Sequence, residues 1–280
     1  MTVSESVLSV GSPTPLNGIV TAPVAGADTG TVLVILNSGL LHHVGSCLLS
    51  VRLARNAAAN GIRAIRFDTS GIGDSAVRPA SADHEQQSVD ETCEVLEYAQ
   101  QHWGAERFVL AGLCSGAFAA FGAALRNPKV AGIVAIAPFG YRTRKWYLRH
   151  YQSKFLSARR WQRLARKLMG KQQGDPESYE SEFLEASASV GWSVPPHAQL
   201  QSGYQQLLSR DVQFLHTFTG GEASYYNYEG QMRDMFPELD FGSALTEAHL
   251  PQARHIITEP VFQDHVLAQT QSWLNALHQR

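Results

Sequence analysis

A short motif of small residues at positions 112–116, Gly-Leu-Cys-Ser-Gly, constrains the fold of this chain more than any other feature. An apolar, strand-like run precedes the motif, and a small, apolar, helix-favouring stretch follows it. Glycines two positions either side of Cys114 leave room for a sharp turn that strains the backbone of its central residue. Centring the turn on Ser115 instead puts Leu113 and Ala117 at those flanking positions, where neither fits. The motif therefore predicts a strand, a tight elbow with Cys114 at its centre, and a helix.

The central cysteine has two interpretations. At a nucleophile elbow, Cys114 attacks a substrate, and Ser115 supplies its backbone amide rather than its hydroxyl. The alternative is an ordinary buried thiol at a tight turn, since free cysteine is among the most buried residue types. The rest of the chain has to distinguish these two interpretations.

Composition excludes several classes of protein. The 280 residues are 44% hydrophobic, enough for one α/β domain or a domain with an insertion. Because 23 basic residues nearly balance 25 acidic ones, the average charge gives no sign of nucleic-acid binding. Three cysteines without CxxC spacing, and no HExxH motif, argue against disulfides and metal sites. Without a signal peptide or an apolar run of about 20 residues, we expect a cytoplasmic protein with no membrane span and no cofactor.

Apolar runs alternate with helical patterns along most of the chain. Strands are predicted at 3–10, 17–22, 31–36, 62–67, 107–111, 130–137, 212–218 and 244–250, and helices at 48–60, 86–101, 117–125, 227–235 and 260–280. Such alternation predicts an α/β fold with a mostly parallel sheet covered on both faces. Residues 139–210 read as helices and loops only, which predicts a helical cap. We expect the core to consist of residues 1–138 and 211–280.

Four separated landmarks now form a known pattern. They are the elbow, the segment 37–41 (Asn-Ser-Gly-Leu-Leu), the glycine turn 67–75 (Phe-Asp-Thr-Ser-Gly-Ile-Gly-Asp-Ser), and Ala-Arg-His at 253–255 before Trp273-Leu274. In this order and spacing, the chain resembles the α/β-hydrolase superfamily over nearly its whole length. The elbow and the helical insert at 146–171 are most similar to hydrolases associated with the exosortase system. Dienelactone hydrolases are similar in using cysteine at the elbow.

The resemblance implies a role for several further residues. His255 takes the place of the general base, and His265, beside Asp264, is its competitor inside a helical pattern. Glu222 stands where the family usually has aspartate and is predicted to orient the base; a surface glutamate in a glycine turn is the alternative. The backbone amides of Leu40 and Ser115 are the expected oxyanion donors.

The loop after the third predicted strand carries two adjacent histidines. His42 and His43 could line the pocket or simply belong to the loop, and we take His42 as a substrate-binding candidate. Asp68 and Asp74 are predicted to brace the glycine turn without a part in the chemistry. No His/Asp group has the sequence spacing of metal ligands, so no metal is predicted.

The predicted cap is strongly basic. Between positions 139 and 174 lie eleven lysines and arginines and no acidic residue, so this segment carries about +11 and the rest about −13. It either presents a solvated helix face or recognises an anionic partner, such as a coenzyme A thioester or an acidic carrier protein. Aromatic residues between the charges are better explained by packing over the pocket than by nucleic-acid stacking. The substrate-binding candidates in the cap are Trp146, Arg159, Arg160 and Arg163.

The sequence thus favours a cysteine-dependent acyl hydrolase that acts on an ester or thioester through an acyl-Cys114 intermediate. The second hypothesis is that the protein is an acyltransferase or a cyclising thioesterase, because an acyl thioester reacts readily with amines and internal hydroxyls. The third, from another class, is a non-catalytic binding module that kept the fold and lost turnover.

Overall fold

The computed structural model describes residues 3–24, 29–79, 83–155 and 194–279, and an eight-stranded sheet forms its centre. Six strands, β3 to β8, run parallel, while β2 is antiparallel to both of its neighbours. The order across the sheet is β1-β2-β4-β3-β5-β6-β7-β8. The strands are β1 (Val3–Val10), β2 (Leu16–Pro23), β3 (Thr31–Ile35), β4 (Arg63–Phe67), β5 (Arg107–Leu113), β6 (Val130–Ile136), β7 (Gln213–Thr219) and β8 (Leu245–Leu250).

Helices cover both faces of this sheet. The described helices are α1 (Leu49–Ala59), α2 (His84–Trp103), α3 (Ser115–Arg126), α4 (Arg144–Phe155), α5 (His197–Leu208), α6 (Gln231–Met235) and α7 (Pro260–His278). Apolar side chains of α2, α3, α5 and α6 pack on one face, and those of α1 and α7 pack on the other. Since both faces are covered, the central strands are rich in apolar residues, and every residue of β3 is buried. The predicted fold class is confirmed.

The carboxyl ends of the parallel strands bring the landmarks together. Cys114 follows β5 directly, Glu222 lies three residues beyond β7, and the loop of residues 37–43 leaves β3. In an open α/β sheet this edge is where ligands bind. The topology therefore gathers the predicted site residues at one end of the sheet.

The predicted cap is described only in part. Its first helix, α4, and its last, α5, belong to the described residues, whereas residues 156–193 lie outside them. The boundaries of the core and the cap therefore stay a prediction. No helix among the described residues combines the length and the apolar character that crossing a membrane requires.

Candidate active site

Cys114 occupies the turn between β5 and α3 in a strained conformation. Its φ is +54° and its ψ is −115°, a backbone conformation that residues other than glycine rarely adopt. The Cys114 amide donates to the carbonyl of Ile136 at 2.9 Å, which ties the turn to β6. The residue caps α3, whose N-terminal amides favour negative charge near the half-buried sulfur.

The two glycines of the motif are required by close packing. A Cβ on Gly112 would lie 2.1 Å from the carbonyl carbon of Gly116, and one on Gly116 would lie 2.4 Å from the carbonyl oxygen of Asn37. Real Cβ atoms do not approach backbone this closely. The spacing of the glycines around Cys114 is therefore a steric requirement of the elbow.

The buried Glu222 and the half-buried His255 form a pair on adjacent loops. The Glu222 side chain is fully buried, and its Oε1 lies 2.5 Å from Nδ1 of His255. Its other carboxylate oxygen accepts from the amide of Thr219, while the Thr219 hydroxyl accepts from the amide of Gly221 at 3.1 Å. This reciprocal capping box fixes the carboxylate in place. Glutamate has the length to reach back to Thr219 and also across to the imidazole.

Two neighbours, Cys114 and Glu222, shift the pKa of the His255 imidazole. Burial disfavours the His255 cation, but hydrogen bonding to Cys114 and Glu222, together with their negative charges, raises the pKa of His255 to about 10. Because Nδ1 is paired with Glu222, the buried Nε2 is the nitrogen available to the sulfur. His255 is thereby placed to hold a proton beside Cys114 at neutral pH.

The competing histidine lies elsewhere. His265 is exposed on α7, and its neighbour Asp264 forms an ion pair with Arg52 on α1. The structure thus brings His255, Glu222 and Cys114 together and keeps His265 on the outer surface of the helix.

The loop of residues 37–43, which we call the oxyanion loop, lies against the elbow. The amide of Gly39 donates to the hydroxyl of Ser115 at 2.6 Å, and the amide of Leu41 closes a turn onto Ser38. Leu40, the predicted second oxyanion donor, sits on this turn with 74% of its surface exposed. The Ser115 side chain is therefore occupied by the loop, which agrees with Cys114 as the centre of the elbow.

A cluster that the sequence spacing does not reveal lies behind this loop. Among the described residues, His42, His43, Asp68 and Asp74 bring potential ligand atoms within 4.8 Å of one another. Asp68 accepts from the amide and Nδ1 of His43, at 2.6 and 2.7 Å, and from the amide of Asp74 at 3.1 Å. These hydrogen bonds outweigh burial and lower the pKa of Asp68. Since protein donors already surround this carboxylate, we assign the cluster to bracing the loops.

The two histidines of the loop differ in their surroundings. His43 is buried against Asp68, whereas His42 keeps 38% of its side chain exposed, between Asp68 and Asp74. His42 also lines a mostly apolar cleft between the oxyanion loop, α1 and the end of β5. Its role in substrate binding stays a prediction.

Tyr225 is a neighbour of the site that the sequence analysis missed. Its hydroxyl donates to the carbonyl of Pro138 at 3.1 Å. Burial, with the negative charges of Glu222 and Cys114, raises the pKa of Tyr225 well above its ordinary value. Its position three residues after Glu222, on the same turn, was the one available signal.

The first helix of the predicted cap is docked on the segment that follows Glu222. Trp146 is buried, and its Nε1 donates to the carbonyl of Ala223 at 3.2 Å. Arg142 donates to the carbonyl of Ser224 at 2.7 Å. Trp146 thus anchors α4 beside the site, and its predicted contact with substrate is left open. The candidates Arg159, Arg160 and Arg163 lie outside the described residues.

Fold and site together define a class of protein, the α/β hydrolases. A family model described as serine aminopeptidase, S33, matches residues 30–189, which is more than half of the chain. The chain belongs to this family and is a hydrolase of the α/β class. No curated protein matches the sequence significantly. The narrower resemblance to exosortase-associated and cysteine-nucleophile hydrolases stays a prediction.

Solved structures share the fold at low sequence identity. A serine hydrolase without a lid from Xanthomonas campestris has a TM-score of 0.56 at 16% identity, covering 98% of this chain and 96% of that one. A proline iminopeptidase from Mycobacterium smegmatis has a TM-score of 0.58 at 16% identity, covering 98% and 99%. An esterase from Pyrococcus furiosus has a TM-score of 0.57 at 13% identity, covering 99% and 93%.

Proposed function

We propose that this hydrolase is a cysteine-dependent acyl hydrolase that acts on an ester or thioester through an acyl-Cys114 intermediate. The observation that carries the proposal is the strained Cys114 at the elbow, with His255 and the buried Glu222 beside it. A nucleophile, a base and a group that orients the base are the three parts of a catalytic triad. Many members of this fold have serine at the elbow, and here a thiol takes its place.

The proposed reaction has two stages. The Cys114 sulfur attacks the acyl carbonyl, the bond to the leaving group breaks, and His255 gives its proton to that group. Water then attacks the thioester while His255 accepts its proton, which releases the acid and restores Cys114 beside the protonated His255. In each stage the amides of Leu40 and Ser115 would stabilise the negative charge that develops on the carbonyl oxygen.

Positive charge on α4 supports an anionic handle on the substrate. Arg144, Lys145 and Arg149 are exposed on this helix, which is docked through Trp146 beside the loop that carries Glu222. Lys145 and Arg149 lie over the ring of Tyr228. Charges next to a binding site attract oppositely charged ligands and raise their association rate. A coenzyme A thioester or an acyl group on an acidic carrier protein would supply the complementary charge.

The proposal is tested by turnover of two substrates, acetyl coenzyme A and p-nitrophenyl acetate, by the wild type and by Cys114→Ala. We expect the wild type to release acetate from both and the variant to lose this activity on both. Activity that survives in Cys114→Ala would refute the cysteine assignment. A wild type that turns over neither compound, nor longer acyl homologues of them, would favour the non-catalytic binding module.

The same assay separates hydrolysis from transfer. With an added amine or alcohol acceptor, a hydrolase still produces mainly the free acid. An acyltransferase or cyclising thioesterase would instead produce the amide or ester in preference to the acid. That product would replace hydrolysis as the proposed reaction and leave the role of Cys114 intact.

A further inference from the structure

We propose that the Ser115 hydroxyl is a positioning group that holds the oxyanion loop in its active arrangement; this rests on the proposed function. Ser115 is 4% exposed, and its Oγ accepts from the amide of Gly39 at 2.6 Å. The hydrogen bond joins segments 76 residues apart, from the ends of β3 and β5. A single residue would thus provide one oxyanion donor through its amide and fix the other through its hydroxyl.

The need for this hydrogen bond follows from how the rest of the loop is held. Asp68 anchors both ends, by accepting from the side chain of Asn37 at 2.9 Å and from the amide of His43 at 2.6 Å. Between these anchors, Gly39 has a φ of +53° and no heavy atom within 4 Å of its missing Cβ. Glycine adds backbone freedom at this point. Within the loop, the Leu41 amide donates to Ser38 and the Leu41 carbonyl accepts from Asn37. The Ser115 hydroxyl ties the middle of the loop to the elbow.

The middle of the loop carries the proposed second donor. Leu40 follows Gly39 directly, so a change in the position of Gly39 moves the Leu40 amide as well. Oxyanion donors act at 2.7–3.1 Å from the developing charge, and the loss of one typically costs about 10²–10³ in rate. Loosening a donor without removing it costs less. We therefore expect Ser115→Ala to slow acylation of Cys114 about 10- to 50-fold.

The experiment compares two reactions of the same sulfur. Acylation by p-nitrophenyl acetate forms the bond from sulfur to the acyl carbon, releases p-nitrophenolate and passes through an oxyanion. Alkylation by iodoacetamide expels iodide and forms no oxyanion. Ser115→Ala should slow single-turnover acylation as stated and change alkylation less than twofold, while Ser115→Thr, which keeps the hydroxyl, should recover most of the acylation rate.

A matched control removes a buried hydroxyl elsewhere. Thr92 is buried in α2, where its hydroxyl donates to the carbonyl of Ser88 at 2.7 Å. Thr92→Val should cost stability without changing the ratio of acylation to alkylation. If Ser115→Ala leaves the ratio of acylation to alkylation unchanged, whether or not both reactions slow, the proposed positioning role is wrong.

A second measurement does not depend on catalysis. Amide hydrogen exchange of a peptide covering residues 37–43 should become at least tenfold faster at one position in Ser115→Ala, because Gly39 loses its acceptor. If the wild type is never acylated, the proposed function fails, and exchange still decides whether the hydroxyl holds the loop. Unchanged exchange in Ser115→Ala would overturn the inference whatever the activity.

Discussion

At the scale of single residues, two histidines near the last helix have different surroundings. His255 is paired with a buried carboxylate and faces the nucleophile, whereas His265 is exposed on α7. We expect His255→Ala to lower kcat/KM by several orders of magnitude, because triad members act as a unit. His265→Ala should change it less than twofold. Steady-state kinetics of both variants, with thermal melts to confirm folding, check this; the reverse ranking would show that the base is misassigned.

The carboxylate at position 222 should control the pH range of activity. Because the pKa of His255 is raised to about 10, the imidazole is protonated at lower pH and can give its proton to a leaving group. Above that pH the imidazole has lost the proton. The contribution of protonated His255 to the free energy of unfolding is full below its ordinary pKa of 6.5. This contribution is lost as the pH rises through about 10. Glu222→Gln removes a negative charge that raises this pKa, so activity on a leaving group that needs a proton should fall at a lower pH.

The measurement is the pH profile of single-turnover acylation by an alkyl ester, because its alkoxide leaving group departs only with a proton. A p-nitrophenyl ester serves as the control, because its leaving group departs without protonation. Circular dichroism at each pH confirms that the protein stays folded. An alkaline limb in the same place for wild type and Glu222→Gln would contradict the assigned role of the carboxylate.

At the scale of elements, the loop after β7 and the loop after β8 approach each other closely, and this approach sets the geometry of the Glu222–His255 pair. A Cβ on Gly221 would lie 2.5 to 2.8 Å from Cβ, Cα and the amide nitrogen of His255. We expect Gly221→Ala to displace the imidazole and to lower kcat at least tenfold while Cys114 is still present and alkylatable. Gly132→Ala is the control, since its Cβ would meet Trp273 at 2.5 Å against α7.

Both glycine variants should lower Tm, and only Gly221→Ala should lower kcat. Differential scanning fluorimetry and steady-state kinetics provide the two readouts. Equal losses of kcat in Gly221→Ala and Gly132→Ala would mean that activity follows global stability and not the approach of the two loops.

Elements were predictable because each depends on local patterns. Apolar runs predicted the strands, and the glycine spacing around Cys114 predicted the elbow, which close packing against Asn37 now explains. Contacts between loops were not predictable, because their partners lie far apart in sequence. The hydrogen bond from Gly39 to Ser115 spans 76 residues, and Asp68 meets His43 across 25. Sequence reasoning consequently gave the Ser115 hydroxyl no part in the site.

At the scale of the whole molecule, the distribution of charge should govern substrate choice. The segment between positions 139 and 174 is basic, whereas the rest of the chain carries a net negative charge. In the part that the structure describes, Arg144 and Arg149 are exposed on α4. Changing both to glutamate should raise KM for acetyl coenzyme A and leave kcat on p-nitrophenyl acetate nearly unchanged, since the neutral ester reports only on the triad.

The control for this prediction places a charge reversal at the opposite end of the strands. Lys129→Glu alters an exposed residue just before β6 and should leave both substrates unaffected. Added salt should raise KM for the charged substrate as the α4 variant does, because exposed charges are screened over about 8–10 Å at physiological ionic strength. Equal effects on both substrates, or on neither, would show that the basic face is only solvated.

The central claim is that the acyl group passes through the sulfur of Cys114. It is tested most directly by quenching the wild-type protein in acid during turnover of acetyl coenzyme A and mapping the added acetyl mass by peptide mass spectrometry. The account predicts an acetyl thioester on the peptide that contains residue 114, removed by hydroxylamine at neutral pH. An acetyl group on Ser115, or turnover with no adduct on Cys114 under conditions that trap it, would contradict the account.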